Sequence, residues 1–422
     1  EMKEYLNKLP KELRDLIYLA RAIAAKNNMH AYLVGGFVRD LILGLRNLDL
    51  DIVVEGNGIR FAEDFSRLKK AKLIRHRRFG TATIVLESGH KIDVASARKE
   101  FYPEPAHLPV VSPGTLKDDL SRRDFTINAM AISISANTFG KLIDLFGGKA
   151  DLGNKKIRIL HDLSFIDDPT RILRAIRFEK RYDFEIEAQA LMRLKDAVKL
   201  GMLDAVHPQR IRDDLILMLK ETHPLRELKR LQELAGFSFI NPGLSLTKKS
   251  YGFLRSIEKQ INWFRKRYPR RRHLDAWLMY FIGLIESLPV KEIKHICRRL
   301  ALRRGEELRI LTYKKEARRV ILGLDKEKIK PSRVFTLLEP LSYEILFLLK
   351  AKYKSRRIQR RIQDFFKYYN GACISVCGAD LHRLGLEPGP GYQKIFTKVL
   401  NARLDGLVKT KKEELALIKR HL

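Results

Sequence analysis

The sequence predicts an α/β head followed by an all-helical remainder. Between residues 31 and 133, five short segments rich in β-branched residues are bounded by Gly, Asn or Asp and read as strands, with two helical segments among them. From about residue 167 onward that pattern stops, and one long segment after another places apolar residues at helical spacing. The sequence shows no fixed-period repeat and no low-complexity tract, so a repeat array does not explain the length.

In chain order, residues 5–27 predict an opening helix. Strands are expected at 31–34, 49–54, 82–86, 91–95 and 129–133, with helices around 38–43 and 59–68. Residues 99–114 contain four prolines and a glycine and read as a long loop, neither strand nor helix. Helices are then expected over 169–182, 187–199, 208–220, 224–235, 251–267, 273–285, 341–366 and 392–404.

With 422 residues, 45% of them hydrophobic, the chain can bury a full core and divide into two to four domains, which excludes global disorder. No apolar run is long enough for a membrane span and the N-terminal stretch lacks a signal-peptide core, so a cytoplasmic protein is expected. Glu1 precedes Met2, as in a chain excised from something longer. Cys297, Cys373 and Cys377 are too few for a disulfide framework and predict reduced, buried thiols. The net charge of +33 points to a polyanionic partner; a lysine- and arginine-rich thermophile surface is the bland alternative. Residues 1–250 carry +10 and residues 251–422 carry +23, which places the phosphate-gripping part in the helical half.

The densest chemistry lies in LVGGFVRDLILGLRNLDLDIVV, residues 33–54. Gly35 and Gly36 end a strand and open a helix, leaving room for an anion to approach backbone N–H groups. Asp49 and Asp51 stand two apart on a strand and so share a face. They are either a pair of solvated strand-end acids or the carboxylates of a Mg²⁺ site completed by substrate phosphates. Asp93, in the apolar KIDVA, is a third acid if its strand lies beside theirs, and a solvent-facing edge residue otherwise. In DLSRRDFTINAMAI, Arg122 and Arg123 supply donors for a triphosphate, Asp124 an acceptor, and Asn128 follows four residues later. Asp168 before Pro169 fits a helix cap, and Arg171, Arg174, Arg177 and Arg181 line one face of the helix that follows. That face is either a phosphate-binding surface or a solvated stripe. In the helical half, Arg270, Arg271 and Arg272, then Arg356, Arg357, Arg360 and Arg361, form basic runs with aromatics interleaved. Phe365 and Phe366 fit a core better than a stacking platform. Gly389 and Gly391 precede a helix and either approach an RNA phosphate or make a simple turn.

GGFVRD with the DLD pair, RRDFTINAMA, DLFGGKADL (144–152) and DDPTRILRAIRF (167–178) occur in one order over roughly residues 31–220 and together resemble the class II tRNA nucleotidyltransferase and bacterial poly(A) polymerase family. The resemblance implies a polymerase-β-like nucleotidyltransferase head at 1–160, a helical neck at 161–225 that recognises the base, a helical body at 226–340 and a helical tail at 341–422 that binds tRNA. It implies Mg²⁺ at Asp49 and Asp51; Asp93, from its place in KIDVA, is the third candidate catalytic acid. Gly35, Gly36, Arg39, Arg122, Arg123, Asp124, Asn128, Arg174 and Arg177 would hold the nucleotide, and 144–152 would act as a hinge. Asp168 and Arg171 match the pair that reads the base; most members begin that motif with Glu-Asp where this chain has Asp167-Asp168.

The expected activity is template-independent addition of AMP from ATP to the acceptor end of a tRNA that ends in CC, with no protein or membrane partner. The wording of 99–114 resembles A-adding members, and its full length separates it from CC-adding ones. Complete CCA addition with CTP as well as ATP, poly(A) synthesis and CC addition remain as alternatives, and a non-catalytic tRNA-binding module is the alternative from another class. A small-molecule nucleotidyltransferase fits poorly with +23 on the helical half.

Overall fold

The computed structural model describes residues 2–46 and 49–420, and its contacts divide the chain into two units, Glu1–Phe239 and Ile240–Leu422. The first unit opens with α1 (Lys3–Asn7) and α2 (Lys11–Lys26), then runs β1 (His30–Val34), α3 (Gly36–Ile42), β2 (Leu50–Glu55), α4 (Gly58–Lys69), β3 (Lys72–His76), β4 (Thr81–Val85), β5 (Lys91–Ser96), β6 (Arg98–Phe101), β7 (Val110–Pro113), α5 (Leu116–Ser121), β8 (Met130–Ser133) and β9 (Leu142–Asp144). After α6 (Gly148–Gly153) and β10 (Lys156–Ile157) come α7 (Ser164–Asp167), α8 (Thr170–Tyr182), β11 (Glu185–Ile186), α9 (Ala188–Lys199), α10 (Met202–Ala205), α11 (Pro208–Leu219) and α12 (Pro224–Leu234).

Seven strands form one sheet in the order β3-β4-β5-β2-β1-β8-β9, in which β2 and β5 run parallel and every other neighbouring pair is antiparallel. Strand alternation sets the two faces. Leu50, Ile52 and Val54 of β2 are buried, and α4 packs on the sheet through Phe61, Ala62 and Phe65. Val53 faces the other way into a small core with Val34, Leu116, Leu120 and Ala131, so α5 covers part of that face. Asp51 shares the strand parity of Val53 and lies where α5 no longer covers the sheet.

Several expectations need correction. Pro10 divides the opening helix into α1 and α2, because proline supplies no N–H and restricts the residue before it. Residues 99–114 are not all loop: β6 and β7 pair antiparallel as a two-stranded ribbon, with Arg98 opposite Pro113 and Phe101 opposite Val110. Pro103, Pro105 and Pro109 lie in the connection, and Pro113 ends its strand, where a missing donor is tolerated. Strands do not stop at 167, since β11 pairs parallel with β10. The exposed β3 and the three-residue β9 escape the hydrophobic pattern because charge or brevity hides it.

The second unit is helical: α13 (Lys248–Arg267), α14 (Ala276–Ile285), α15 (Val290–Arg299), α16 (Arg304–Leu324), α17 (Pro331–Leu338), α18 (Tyr343–Lys352), α19 (Arg356–Asp364), a π-helical turn over Phe365–Tyr369, α20 (Gly378–Arg383), α21 (Pro390–Leu404) and α22 (Lys411–Lys419). The helix expected over 341–366 is therefore broken between α18 and α19 at residues 353–355. α14 is apolar all round and buried from Trp277 to Ile285, as a central helix requires. Phe365 and Phe366 are core residues, the latter 4.9 Å from Phe347 ring to ring. The C-terminal helices enclose a small core of their own around Val376, Leu381, Val399 and Ile418. Cys297 is buried, but Cys373 and Cys377 are exposed, which corrects the expectation of three buried thiols. Among the described residues, no helix is long and apolar enough to cross a membrane.

Glu344 anchors the second unit's core. Its carboxylate is fully buried, accepts from both Arg272 terminal nitrogens at 2.9 and 3.1 Å and from the Asp275 N–H at 3.0 Å, and lies 3.5 Å from Arg309. Burial alone would raise its pKa, but the Arg272 and Asp275 hydrogen bonds overcome this and hold it at about 2. Because the folded value is depressed, the stability it contributes is present above the ordinary glutamate range and lost as pH falls toward about 2. Glu344→Ala is expected to cost about 3 kcal/mol in chemical denaturation near neutral pH, with the difference from the unmodified protein shrinking in acid.

Candidate active site

The acidic residues come together on two adjacent inner strands of the sheet. Parallel pairing of β2 and β5 sets Asp51 directly beside Asp93, and Asp49 lies two residues before Asp51. Thr83 donates to Asp93 Oδ1 at 2.5 Å. Burial first, and then Asp93 and Asp49, push the Asp51 carboxyl up to about 6, while Arg123 and Arg39 pull the other way. Like-charge crowding of this kind is relieved by a bound cation. The donors are hard carboxylate oxygens, and no group of three or more acidic, His or Cys side chains forms a ready cage among the described residues. A pair of carboxylates completed by phosphate oxygens is how Mg²⁺ is usually held, so the residues present fit that ion.

Beside them opens a cavity of about 530 Å³. Asp51 and the eleven residues assigned from sequence to the nucleotide (Gly35, Gly36, Arg39, Arg122, Arg123, Asp124, Asn128, Asp168, Arg171, Arg174 and Arg177) all line it; Asp49 and Asp93 do not. Gly35 has a left-handed φ of 65°, and a Cβ there would fall 2.7 Å from Arg123 Nη1 and 3.8 Å from Asp51 Oδ2, so any side chain would fill the space between arginine and acid.

The arginines are fixed by buried acceptors. Asp119, with no exposed surface, accepts from Arg122 at 2.6 and 3.0 Å and from Arg123 at 2.9 Å. Arg39 donates to Asn128 Oδ1 at 2.6 Å and to Asp40 at 2.9 Å, and its guanidinium lies over the rings of Tyr182 and Phe178. Asp124 accepts from Asn128 and the Phe125 N–H and pairs with Arg174 at 2.6 Å; burial opposes the charge, yet Arg174 and Asn128 keep the carboxyl below the usual range. Even so, the Nε atoms of Arg123, Arg174 and Arg177 are buried without a hydrogen-bond partner. Burial, with the neighbouring Arg174 and Arg181, lowers the pKa of Arg177. Desolvated cations with unused donors are what an anionic ligand would satisfy.

At the other end of the cavity, Asp168 and Arg171 flank the start of α8. Asp168 Oδ1 accepts from the Thr170 N–H and hydroxyl and from Arg210 Nη2 at 2.7 Å. The carboxylate thus closes the first turn of α8 in the manner of a cap, although Pro169 occupies the cap position itself. Arg171 donates to Ser164 Oγ at 2.6 Å and to the Arg122 carbonyl at 2.8 Å, which joins it to the Arg122–Arg123 segment. Asp144 accepts from the Gly148 and Lys149 N–H groups and so starts α6.

The basic runs of the second unit have a mixed character. Arg272 is committed to Glu344, and Arg271 lies 4.9 Å from the Tyr268 ring centroid. Arg361 donates to the carbonyls of Leu324, Lys326 and Glu327, and Arg357 to that of Asp325. Arg270, Arg356 and Arg360 are exposed, Arg360 within 3.8 Å of Asp364. Gly389 and Gly391 have open space around them at the start of α21.

Sequence reasoning missed Asp119, Glu100, Tyr102 and Arg210. Asp119 left a signal, since Arg122 and Arg123 follow it at helical spacings of three and four. Arg98 and Glu100 stand two apart on β6 and form a local pair, but Glu100 meets Arg122 across 22 residues and Arg210 meets Asp168 across 42, which no local pattern marks.

A carboxylate pair beside an arginine-walled cavity defines a class of protein that handles phosphate esters next to a cation. Known proteins narrow that class. Residues 31–158 match the family described as the Poly A polymerase head domain. The chain is 39% identical to the A-adding tRNA nucleotidyltransferase of Geobacter sulfurreducens over 92% of its own length and 44% of that protein, and 38% identical to the one of Aquifex aeolicus over 76% and 39%. A structure of the Thermotoga maritima CCA-adding enzyme complexed with tRNA(CCA) matches all of this chain and 98% of that one at 34% identity, with a TM-score of 0.74. The chain belongs to the tRNA nucleotidyltransferase family. It spans less than half the length of the Geobacter and Aquifex relatives.

Removing Asp119 leaves two arginines without their buried acceptor. Asp119→Ala is expected to lower stability by about 3 kcal/mol in thermal or urea unfolding. Asp119→Asn, which keeps the shape but not the charge, should fall between the two proteins.

Proposed function

We propose that the protein transfers AMP from ATP to the 3′ end of a tRNA ending in CC, in the cytoplasm and with Mg²⁺. The observation that carries this reading is the convergence of Asp51, three guanidinium groups with unused donors and the Asp168–Arg171 pair on one cavity, with Asp93 beside Asp51 on the next strand. The names of the Geobacter and Aquifex relatives support AMP as the unit added. The end-to-end match to the Thermotoga enzyme favours a second reading, addition of the whole CCA.

Asp49 and Asp51 would hold Mg²⁺, which neutralises phosphate charge when bound. Gly35 leaves room for the phosphates against Arg123 and Asp51, and Arg123, Arg174 and Arg177 turn their spare donors toward them. Asp168 and Arg171 meet the edge of the base as acceptor and donor, held rigid by Arg210, Thr170 and Ser164. The RNA 3′-oxygen bonds to the α-phosphorus as the α–β phosphoanhydride bond breaks; the hydroxyl proton passes to solvent and pyrophosphate leaves. Chemistry of this kind depends on positioning and charge, and needs no covalent intermediate. The +25 carried by residues 240–422 supports tRNA binding by the helical unit.

Asp51→Ala is expected to lower nucleotide transfer by about 10³-fold while tRNA affinity, measured by filter binding, stays near that of the unmodified protein. Near-normal turnover would remove Asp51 from the chemistry. The specificity is read on one gel with tRNA lacking one, two or three terminal nucleotides and ATP or CTP supplied singly and together. Extension of the CC-ending tRNA by ATP alone, then arrest, is expected; strong CTP incorporation would establish CCA addition, and long adenosine tails a poly(A) polymerase. Arg171→Ala should reduce discrimination between ATP and CTP more than it reduces tRNA affinity.

A further inference from the structure

A second cavity, of about 870 Å³, lies in the same unit and shares two wall residues, Arg177 and Arg181, with the one just described. Lys155 and Lys220 line it from outside the nucleotide cavity, and Tyr182 and Phe184 give it an aromatic side. The counter-charges are Glu221, 3.3 Å from Arg181 and 4.0 Å from Arg177, Asp40, which also lines the cavity, and Asp214, which acts on Arg177. No function described above uses this space.

The direction of α8 indicates what would reach it. Asp168 and Arg171 lie at the start of the helix, and Arg174, Arg177 and Arg181 follow on one face toward its end. At 1.5 Å per residue, Arg171 to Arg181 spans roughly 15 Å, about the length of an extended nucleoside triphosphate. A base at Asp168 and Arg171 therefore directs its terminal phosphates to Arg177 and Arg181, the wall common to both cavities. Arg39, which lines the first cavity, lies 4.7 Å from the ring centroid of Tyr182, which lines the second.

We propose that the second cavity is the exit subsite for inorganic pyrophosphate, formed by Arg177, Arg181, Lys155 and Lys220. The inference rests on the orientation of the nucleotide given under the proposed function. As the RNA 3′-oxygen bonds to the α-phosphorus, the electron pair of the broken α–β bond stays on the bridging oxygen, which departs as part of pyrophosphate; the hydroxyl proton goes to solvent. The leaving group then moves away from the new phosphodiester without crossing it. Arg177 and Arg181 exchange Glu221 for the departing anion, and the buried, crowded Arg177 gains the counter-charge that Glu221 at 4.0 Å supplies only weakly. Lys155 and Lys220 are exposed, so replacing them leaves the core untouched.

The test compares the unmodified protein with the double variant Lys155→Ala/Lys220→Ala and with Arg181→Ala. The inhibition constant of inorganic pyrophosphate against AMP transfer should rise about tenfold in each, while tRNA affinity stays unchanged. Calorimetric titration with pyrophosphate alone should show the same loss and requires no turnover. If the unmodified protein transferred no nucleotide, the functional reading would fail, and the titration would still decide the cavity. Unaltered pyrophosphate affinity in both variants would overturn the proposal. A fall in tRNA affinity with pyrophosphate binding intact would overturn it too, and would give the cavity to the RNA acceptor end.

Discussion

Positive charge concentrated in a cavity repels itself, and the first unit depends on buried carboxylates to hold that charge in place. Asp119 grips Arg122 and Arg123, Asp124 grips Arg174, Asp40 holds Arg39 and Asp168 holds Arg210. Asp119 and Asp40 hold arginines close to them in sequence, whereas the Asp124–Arg174 and Asp168–Arg210 pairs join segments 50 and 42 residues apart and form only when the fold is assembled. Removing one acid does not merely delete a contact; it leaves a guanidinium desolvated and unpaired, which costs more than the pair contributes. The same ordering fixes the donors before any ligand arrives, and a pre-organised polar site avoids reorganisation when charge develops in a reaction.

The sheet meets a matching constraint of opposite sign. Parallel pairing of β2 with β5 sets Asp51 and Asp93 side by side, and Asp49 stands just before the start of β2. Asp51 therefore faces Arg123 across a gap that stays open because position 35 carries no side chain. Acid on the sheet and base on α8 and the α5–β8 connection give the site its polarity, and the covering helix α5 stops short of it.

Much of this was legible in the sequence because it is written in local patterns. The alternation around Asp51, the Gly pair before α3 and the arginine spacing on α8 each need only a few neighbouring residues. What stayed hidden needs distance or contradicts a local rule. The β6–β7 ribbon is a strand pair beside prolines, which read as loop until the turn collects three of them. Arg210 acts on Asp168 from another helix. The break between α18 and α19 follows an unremarkable Tyr-Lys-Ser, where no proline or glycine announces it. In the second unit the basic runs were visible as charge, but not that Arg272 and Arg361 are engaged with Glu344 and with the carbonyls at the end of α16.

The Nε atoms of Arg123, Arg174 and Arg177 find no hydrogen-bond partner within the protein, so an anion bound there would add contacts that the fold itself does not make. A phosphate-bearing ligand at a hundred times its dissociation constant would add about 2.7 kcal/mol to the stability of the unit, comparable to a well-packed core side chain. Neutral residues at positions 123 and 174 would strand the buried Asp119 and Asp124, so the charges that invite a ligand are also part of what holds the unit together.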